Sequence, residues 1–249
     1  MLTPLTQPLS SHELRHRLLE EASEMASLSH PWFRGIIDHT LTREQIILGE
    51  KQHFLRVMRN GDFFGAIVEK AKQEGDQSIL RLAKKNYSEE IVGPSNHTDL
   101  LFQFFADAGL DRKVVEKTLP TPGTAIAIEA MIGFCMRHSA LEGMAFVGFV
   151  EVQNAGKEGV AYQVYDALIK HYGFSPKGAE NFFVHSIEDD AHGNEQIDLI
   201  CTKATTADVQ TRIIQAVQAG VSTFSIEWDG HLQAALDGRV YWTGCSQKI

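Results

Sequence analysis

Cysteine is scarce: Cys135, Cys201 and Cys245 are scattered over 249 residues. That is too few for a disulfide framework or a Cys-based zinc site, and a reducing cytoplasm is the default expectation. Basic clusters are missing as well. A net charge of −9 argues against a partner made of nucleic-acid phosphates. No apolar run approaches the ~18 residues of a membrane span, and the first residues lack the basic and apolar regions of a signal peptide. No stretch alternates with period two between turn signals, so no strand is expected. Gly-x-Gly-x-x-Gly, a Walker-type loop and a Gly-x-Ser-x-Gly elbow are all absent. Nucleotide and serine-hydrolase chemistry therefore lack support.

What is present is helical. The hydrophobic fraction of 43% and charged fraction of 22% are those of an ordinary globular domain. A chain of this length buries a core without staples. Ser10-x-x-Glu13, Thr42-x-x-Gln45 and Ser139-x-x-Glu142 read as capping boxes. Gly75, Gly93-Pro94, Gly109 and Gly173 read as stops, and Ser175-Pro176 reads as an N-cap followed by Pro at the first helical position. One helix is expected over 42–75, and one from 176 to about 202. The expectation is a single all-α domain over 1–249, a bundle of about seven to nine helices. Residues 1–9 form an extended arm, and the tail 239–249 is weakly specified. Metal sites in such bundles are built from side chains on facing helices.

The most informative stretch is Phe182-Phe183-Val184-His185-Ser186-Ile187-Glu188-Asp189-Asp190-Ala191-His192. In a helix, His185, Asp189 and His192 stand at i, i+4 and i+7, on one face. Two imidazoles and a carboxylate suit iron, manganese or zinc. The apolar flanks predict a buried helix, where His and Asp need partners or a metal. Further donors are available. Glu90 and His97 flank the Gly93-Pro94 break, with Glu89 an alternative to Glu90 and a solvated helix end the plainer reading. Glu151 lies in an apolar run, as a bridging ligand or an exposed edge. Glu50-x-x-His53 and Glu13-x-x-His16 have the spacing of ferritin-like iron ligands. The second reads as surface, and the first as the lining of a substrate pocket. His138 reads as a C-terminal cap, and Cys135, between Phe134 and Met136, as core. His171 and His231 show no partner pattern.

Glu90, His97, Glu151 and His185-x3-Asp189-x2-His192, on an all-α chain of this size, resemble the haem-oxygenase-like di-metal oxidases, relatives of thiaminase-II-like and pyrroloquinoline-quinone-synthase-like proteins. His30-Pro31-Trp32-Phe33, Leu41-Thr42-Arg43-Glu44-Gln45, Asn96-His97-Thr98-Asp99-Leu100-Leu101 and Phe149-Val150-Glu151-Val152-Gln153 are similar to further segments of that family. The resemblance implies a haem-oxygenase-like helical bundle. It implies two Fe(II) per chain held by Glu90, His97, Glu151, His185, Asp189 and His192, with Glu151 bridging, and no catalytic residue beyond these ligands. It implies O2 activation through a peroxo-type di-iron intermediate. Members carry out N-oxygenation or C–C cleavage of amino acids, or decarboxylation of fatty acids to terminal alkenes. One branch builds p-aminobenzoate from its own side chains. A homodimer is expected from the resemblance alone.

The reading adopted is a cytoplasmic, biosynthetic di-iron oxidase. Its partners are O2 and a small amino-acid-type substrate, with neither nucleic acid nor membrane. An amino acid's carboxylate needs a buried cation, and Arg56 and Arg59 share a helix with His53, so these three are assigned to substrate. The rivals are a fatty-acid decarboxylase on the same site, a metal-independent thiaminase-II-like hydrolase with Cys135 as nucleophile, and a non-enzymatic helical interaction protein.

Overall fold

A computed structural model describes residues 4–23, 27–93 and 96–237, and for 188–192 the backbone only. Twelve α-helices and one 3-10 turn, Ser27–Ser29, make up the regular structure among the described residues, with no strand. The helices are α1 Ser11–Ser23, α2 Pro31–Ile37, α3 Arg43–Val57, α4 Asn60–Glu74, α5 Gln77–Ile91 and α6 His97–Asp107. Then come α7 Arg112–Val115, α8 Pro122–Arg137, α9 Ala140–Asn154, α10 Val160–Tyr172, α11 Glu180–Lys203 and α12 Ala207–Asp237. No described helix is long and apolar enough to cross a membrane.

Twelve exceeds the seven to nine expected, for local reasons. The helix expected over 42–75 is broken at Met58-Arg59. Arg59 leaves the helical region at φ −109°, ψ 2°, and its N–H bonds back to Arg56 O in a tight turn. The break turns Asn60 inward, where it is fully buried. Its side chain accepts from Arg56 Nη1 at 3.1 Å and donates to Glu90 Oε2 at 2.9 Å. Ser175-Pro176 opens a turn rather than α11. Ser175 is tied to Asp107 at the end of α6, its hydroxyl donating to Oδ1 at 2.7 Å, and the α-helix starts only at Glu180.

Elsewhere short-range chemistry decides. The boxes at Thr42 and Ser139 are complete, and Ser10 and Glu13 exchange bonds the same way. Each satisfies donors that a helix start would leave bare. Gly75 and Gly173 close α4 and α10 in the left-handed region, at φ 75° and 69°.

The longest helix, α12, is the spine of the bundle. It packs on α9, α8, α3 and α1, while α11 packs on α9, α10, α1 and α6. Ile213, Ile214, Val217, Val221, Phe224 and Trp228 recur along α12 at three- and four-residue steps and are all buried. That is the wide apolar face a helix needs when neighbours flank it on two sides. Burying each such side chain stabilises the fold by ~1.5–3 kcal/mol. Glu227 and His231 continue the same buried face, so the spine carries charge into the core.

Candidate functional site

The end of α5, the start of α6 and the middle of α11 meet. Asn96 caps α6, its side chain accepting from Asp99 N at 3.0 Å, and this starts the helix with His97 facing inward. Glu90, in the last turn of α5, lies across the Gly93 break with Oε2 2.7 Å from His97 Nδ1. The His97 and His185 rings are 4.4 Å apart. Burial alone would push the Glu90 carboxyl up. The His97 imidazole, with His185 and Arg56 beyond it, outweighs that and holds it down at about 2. Glu89, the alternative, is exposed.

Glu151 is half-buried in the last turn of α9. The register of α9 on α11 is fixed nearby. A Cβ on Gly148 would sit 1.2 Å from Gln196 Nε2. The bare glycine lets that amide donate to Met144 O at 3.1 Å and accept from Asn86 at 2.6 Å. Gly193 of α11 lies against Val152, next to Glu151. The backbone of α11 runs through 189 and 192, but the side chains of Asp189 and His192 lie outside the described residues.

Glu90, His97 and His185 are therefore together, and Glu151 stands on a helix packed against the stripe. Among the described residues no group of three His, Cys, Asp or Glu is closed around a metal-sized position. The donor set fits iron: carboxylate and imidazole lone pairs that now meet each other are the kind that coordinate Fe(II).

A second charged cluster lies beyond His185, between α3 and α12. Glu50 and His53 are one turn apart, Oε2 to Nδ1 2.8 Å. Arg56, a turn further on, donates from Nε to Glu227 Oε1 at 3.3 Å, and the same oxygen lies 3.3 Å from His231 Nε2. The rings of His53 and His231 stack at 6.0 Å. Burial pushes the Glu50 carboxyl up to about 7 and drives His53 well below the usual imidazole range. Burial opposes ionisation of Glu227 too, but Arg56 and His231 hold it at about 2.

These side chains line a cavity of about 80 Å³ that His185 also borders, with Trp32, Phe33, Phe182, Phe224 and Trp228 among its walls. Trp32 reaches it only because residue 49 is glycine: a Cβ there would lie 2.1 Å from the indole.

The assignments to substrate fare differently. His53 and Arg56 line the cavity, though Arg56 is already engaged by Glu227 and Asn60. Arg59 is a correction: it is exposed and paired with Asp62, 3.9 Å from Glu129. The break at Met58-Arg59 turns it outward and gives its inward place to Asn60. Cys135 is fully buried, its thiol pushed up to about 12 by burial, and it is not part of the cavity wall. His138 is the C-cap of α8. Sequence reasoning missed Asn60, Asn181, Glu227 and His231. Glu227-x3-His231, one helical turn within an apolar face, was a readable signal.

Comparison with known proteins decides the family. Residues 51–224 match the iron-containing redox enzymes. The chain belongs to that family. It is 26% identical over 198 residues to the 4-aminobenzoate synthase of Nitrosomonas europaea, covering 77% of this chain and 79% of that one. Solved structures share the fold. A heme oxygenase-like domain from Shewanella denitrificans has a TM-score of 0.74 at 15% identity, over 90% of this chain and 93% of its own. A CADD-like protein from Nostoc punctiforme has a TM-score of 0.70 at 14% identity, over 90% and 99%. A TenA homologue from P. horikoshii has a TM-score of 0.67 at 14% identity, over 90% and 98%. The expected haem-oxygenase-like helical bundle is thus borne out, with more helices than expected, and membership of the family makes iron the metal this site must be read against.

Proposed function

We propose that this member of the family is an O2-dependent non-haem di-iron oxidase acting on a small amino-acid-type substrate, by N-oxygenation or oxidative C–C cleavage. Its ligands are Glu90, His97, Glu151, His185, Asp189 and His192. The observation that carries the reading is the meeting of Glu90, His97 and His185 from three helices, beside a buried cavity that His185 borders. Iron bound there supplies the electrons that triplet O2 needs to react with closed-shell molecules.

The chain's own residues prepare that site. Glu90, ionised and hydrogen-bonded by Asn60, offers an anionic donor. Arg56 orients Asn60 from the other side. The aromatic walls keep bulk water from the substrate and from reactive species.

The size of the cavity favours a small substrate over a fatty acid, whose chain needs a long apolar tunnel. The burial of Cys135 away from that cavity favours redox chemistry over a thiol hydrolase. The relative that makes 4-aminobenzoate supports an amino-bearing small acid on the substrate or product side, and favours a second reading in which this chain forms that product itself.

The test is anaerobic Fe(II) titration of metal-free protein, followed by rapid mixing with O2. The reading requires about two irons per chain and a transient visible band, with iron loading lowered in His192→Ala and Glu151→Ala at unchanged helicity. Absence of iron binding, or full loading in both variants, would overturn it. Formation of 4-aminobenzoate with no substrate added would select the second reading.

A further inference from the structure

The cavity beyond His185 contains polar atoms that no described residue uses. Glu227 is 1% exposed. Its Oε1 serves both Arg56 and His231, while Oε2 has no hydrogen-bond partner among the described residues. The same holds for both amide atoms of Asn181, also 1% exposed, and for Nδ1 of His231. All three residues line the cavity. A buried carboxylate oxygen without a donor is costly, and natural folds leave few such atoms. Several converging on one cavity mark the place of a ligand.

The charges around that place select the ligand. An anion would face the ionised Glu227 carboxylate, whose free oxygen offers it no donor. Arg56 could receive a substrate carboxylate only by releasing Glu227, and the buried His53 does not supply a positive charge. A neutral hydroxyl could satisfy Glu227 Oε2, but by a weaker bond than a charged donor makes. An ammonium group satisfies the oxygen with a charge-assisted bond, in a cavity whose walls include Trp228 and Phe224. On the scale of ~10–15 Å³ per water site, a cavity of about 80 Å³ takes a ligand of roughly five to eight heavy atoms.

We propose that the cavity recognises its substrate by an ammonium group, which donates to Glu227 Oε2 and the Asn181 carbonyl, and that the substrate is a small primary amine with an apolar or aromatic body. Its meaning as a substrate site rests on the oxidase reading, and it narrows the amino-acid-type substrate of that reading to the amine that enters this cavity. It also replaces the expected carboxylate recognition by Arg56. Arg56 instead holds Glu227 ionised and turned so that one oxygen remains for the ligand.

Calorimetric titration of the full chain, metal-free and loaded with Fe(II) under argon, tests it with three probes of one shape: benzylamine, benzyl alcohol and benzoate. Benzylamine is expected to bind roughly tenfold or more tighter than either of the others, the scale of one charge-assisted bond. Glu227→Gln should remove that advantage. Asn181→Leu, which leaves the Arg56–Glu227 pair intact, should lower benzylamine affinity by a smaller factor. If Glu227→Gln does not fold, the probe ranking in wild type and the Asn181 variant decide. Benzyl alcohol or benzoate binding as tightly as benzylamine, or amine binding that survives both substitutions, would overturn the proposal. Amine binding without iron uptake would keep this proposal and remove the oxidase reading, so the two failures are separable.

Discussion

Two buried clusters share His185, and they are built on opposite principles. Around Glu90 and His97, donors crowd onto one another, and among the described residues Arg56 reaches Glu90 only by way of Asn60. Around Glu227, a guanidinium is built in, and one oxygen of the carboxylate it pairs with has no partner among the described residues. A site made for a metal must bring donors and leave the positive charge to the ion. A pocket made for an organic ligand supplies its own counter-charge and leaves one valence open. The same residue types, Glu and His, occur in both, so the residue list alone does not separate them. The presence of Arg56 does.

The sharpest break in this comparison comes from paired substitutions. Glu90→Ala and His97→Ala are expected to lower iron content by at least one ion per chain and O2 consumption by about 100-fold or more, the scale on which removing one key electrostatic group acts. Glu227→Gln and His231→Ala should leave iron content unchanged. Metal analysis of the four purified variants reads this directly.

Arg56→Ala separates the clusters in stability. It leaves Glu227 buried without its cation, a loss of about 3–5 kcal/mol for breaking a buried pair. Arg59→Ala, on the exposed turn three residues on, should stay within about 0.5 kcal/mol. Urea unfolding of the two variants checks both.

A smaller effect lies in pH. The Glu50 carboxyl is raised to about 7 by burial, so its neutral form is favoured in the folded state. Its contribution to stability is full below the unfolded value near 4.5 and is lost as pH rises through 7. Between pH 5 and 8 the wild type should lose roughly 1–3 kcal/mol that Glu50→Gln does not lose. Thermal melts across that range measure the difference.

The smallest effect lies outside both clusters. Asp76 caps α5 by accepting from Ser78 N and Ile79 N. Asp76→Ala should cost ~1 kcal/mol, read as a shift in the urea midpoint, with iron binding and amine binding intact.

How far the sequence could be read follows from the range of the forces involved. Helix starts at Thr42 and Ser139 were legible because a capping box closes within three residues. The break between α3 and α4 was not. No proline or glycine stands at Met58-Arg59, and the turn serves Asn60's contacts with Glu90, thirty residues away. Glu89 and Glu90 point about 100° apart on α5, but nothing local in the sequence says which direction faces His97. The contact with His97 across the Gly93 break distinguishes them. The pairing of Arg56 with Glu227 spans 171 positions and leaves no local trace. His185 was legible as part of a stripe. That it borders a second cluster was not.

We propose that the two clusters divide the work, metal in one and substrate in the other. Crystals of the protein loaded anaerobically with Fe(II), measured on both sides of the iron absorption edge, test this most directly. Anomalous peaks are expected beside Glu90, His97 and His185, and none between Glu50, His53, Glu227 and His231. An iron peak in the second cluster, or its absence from the first, would contradict it.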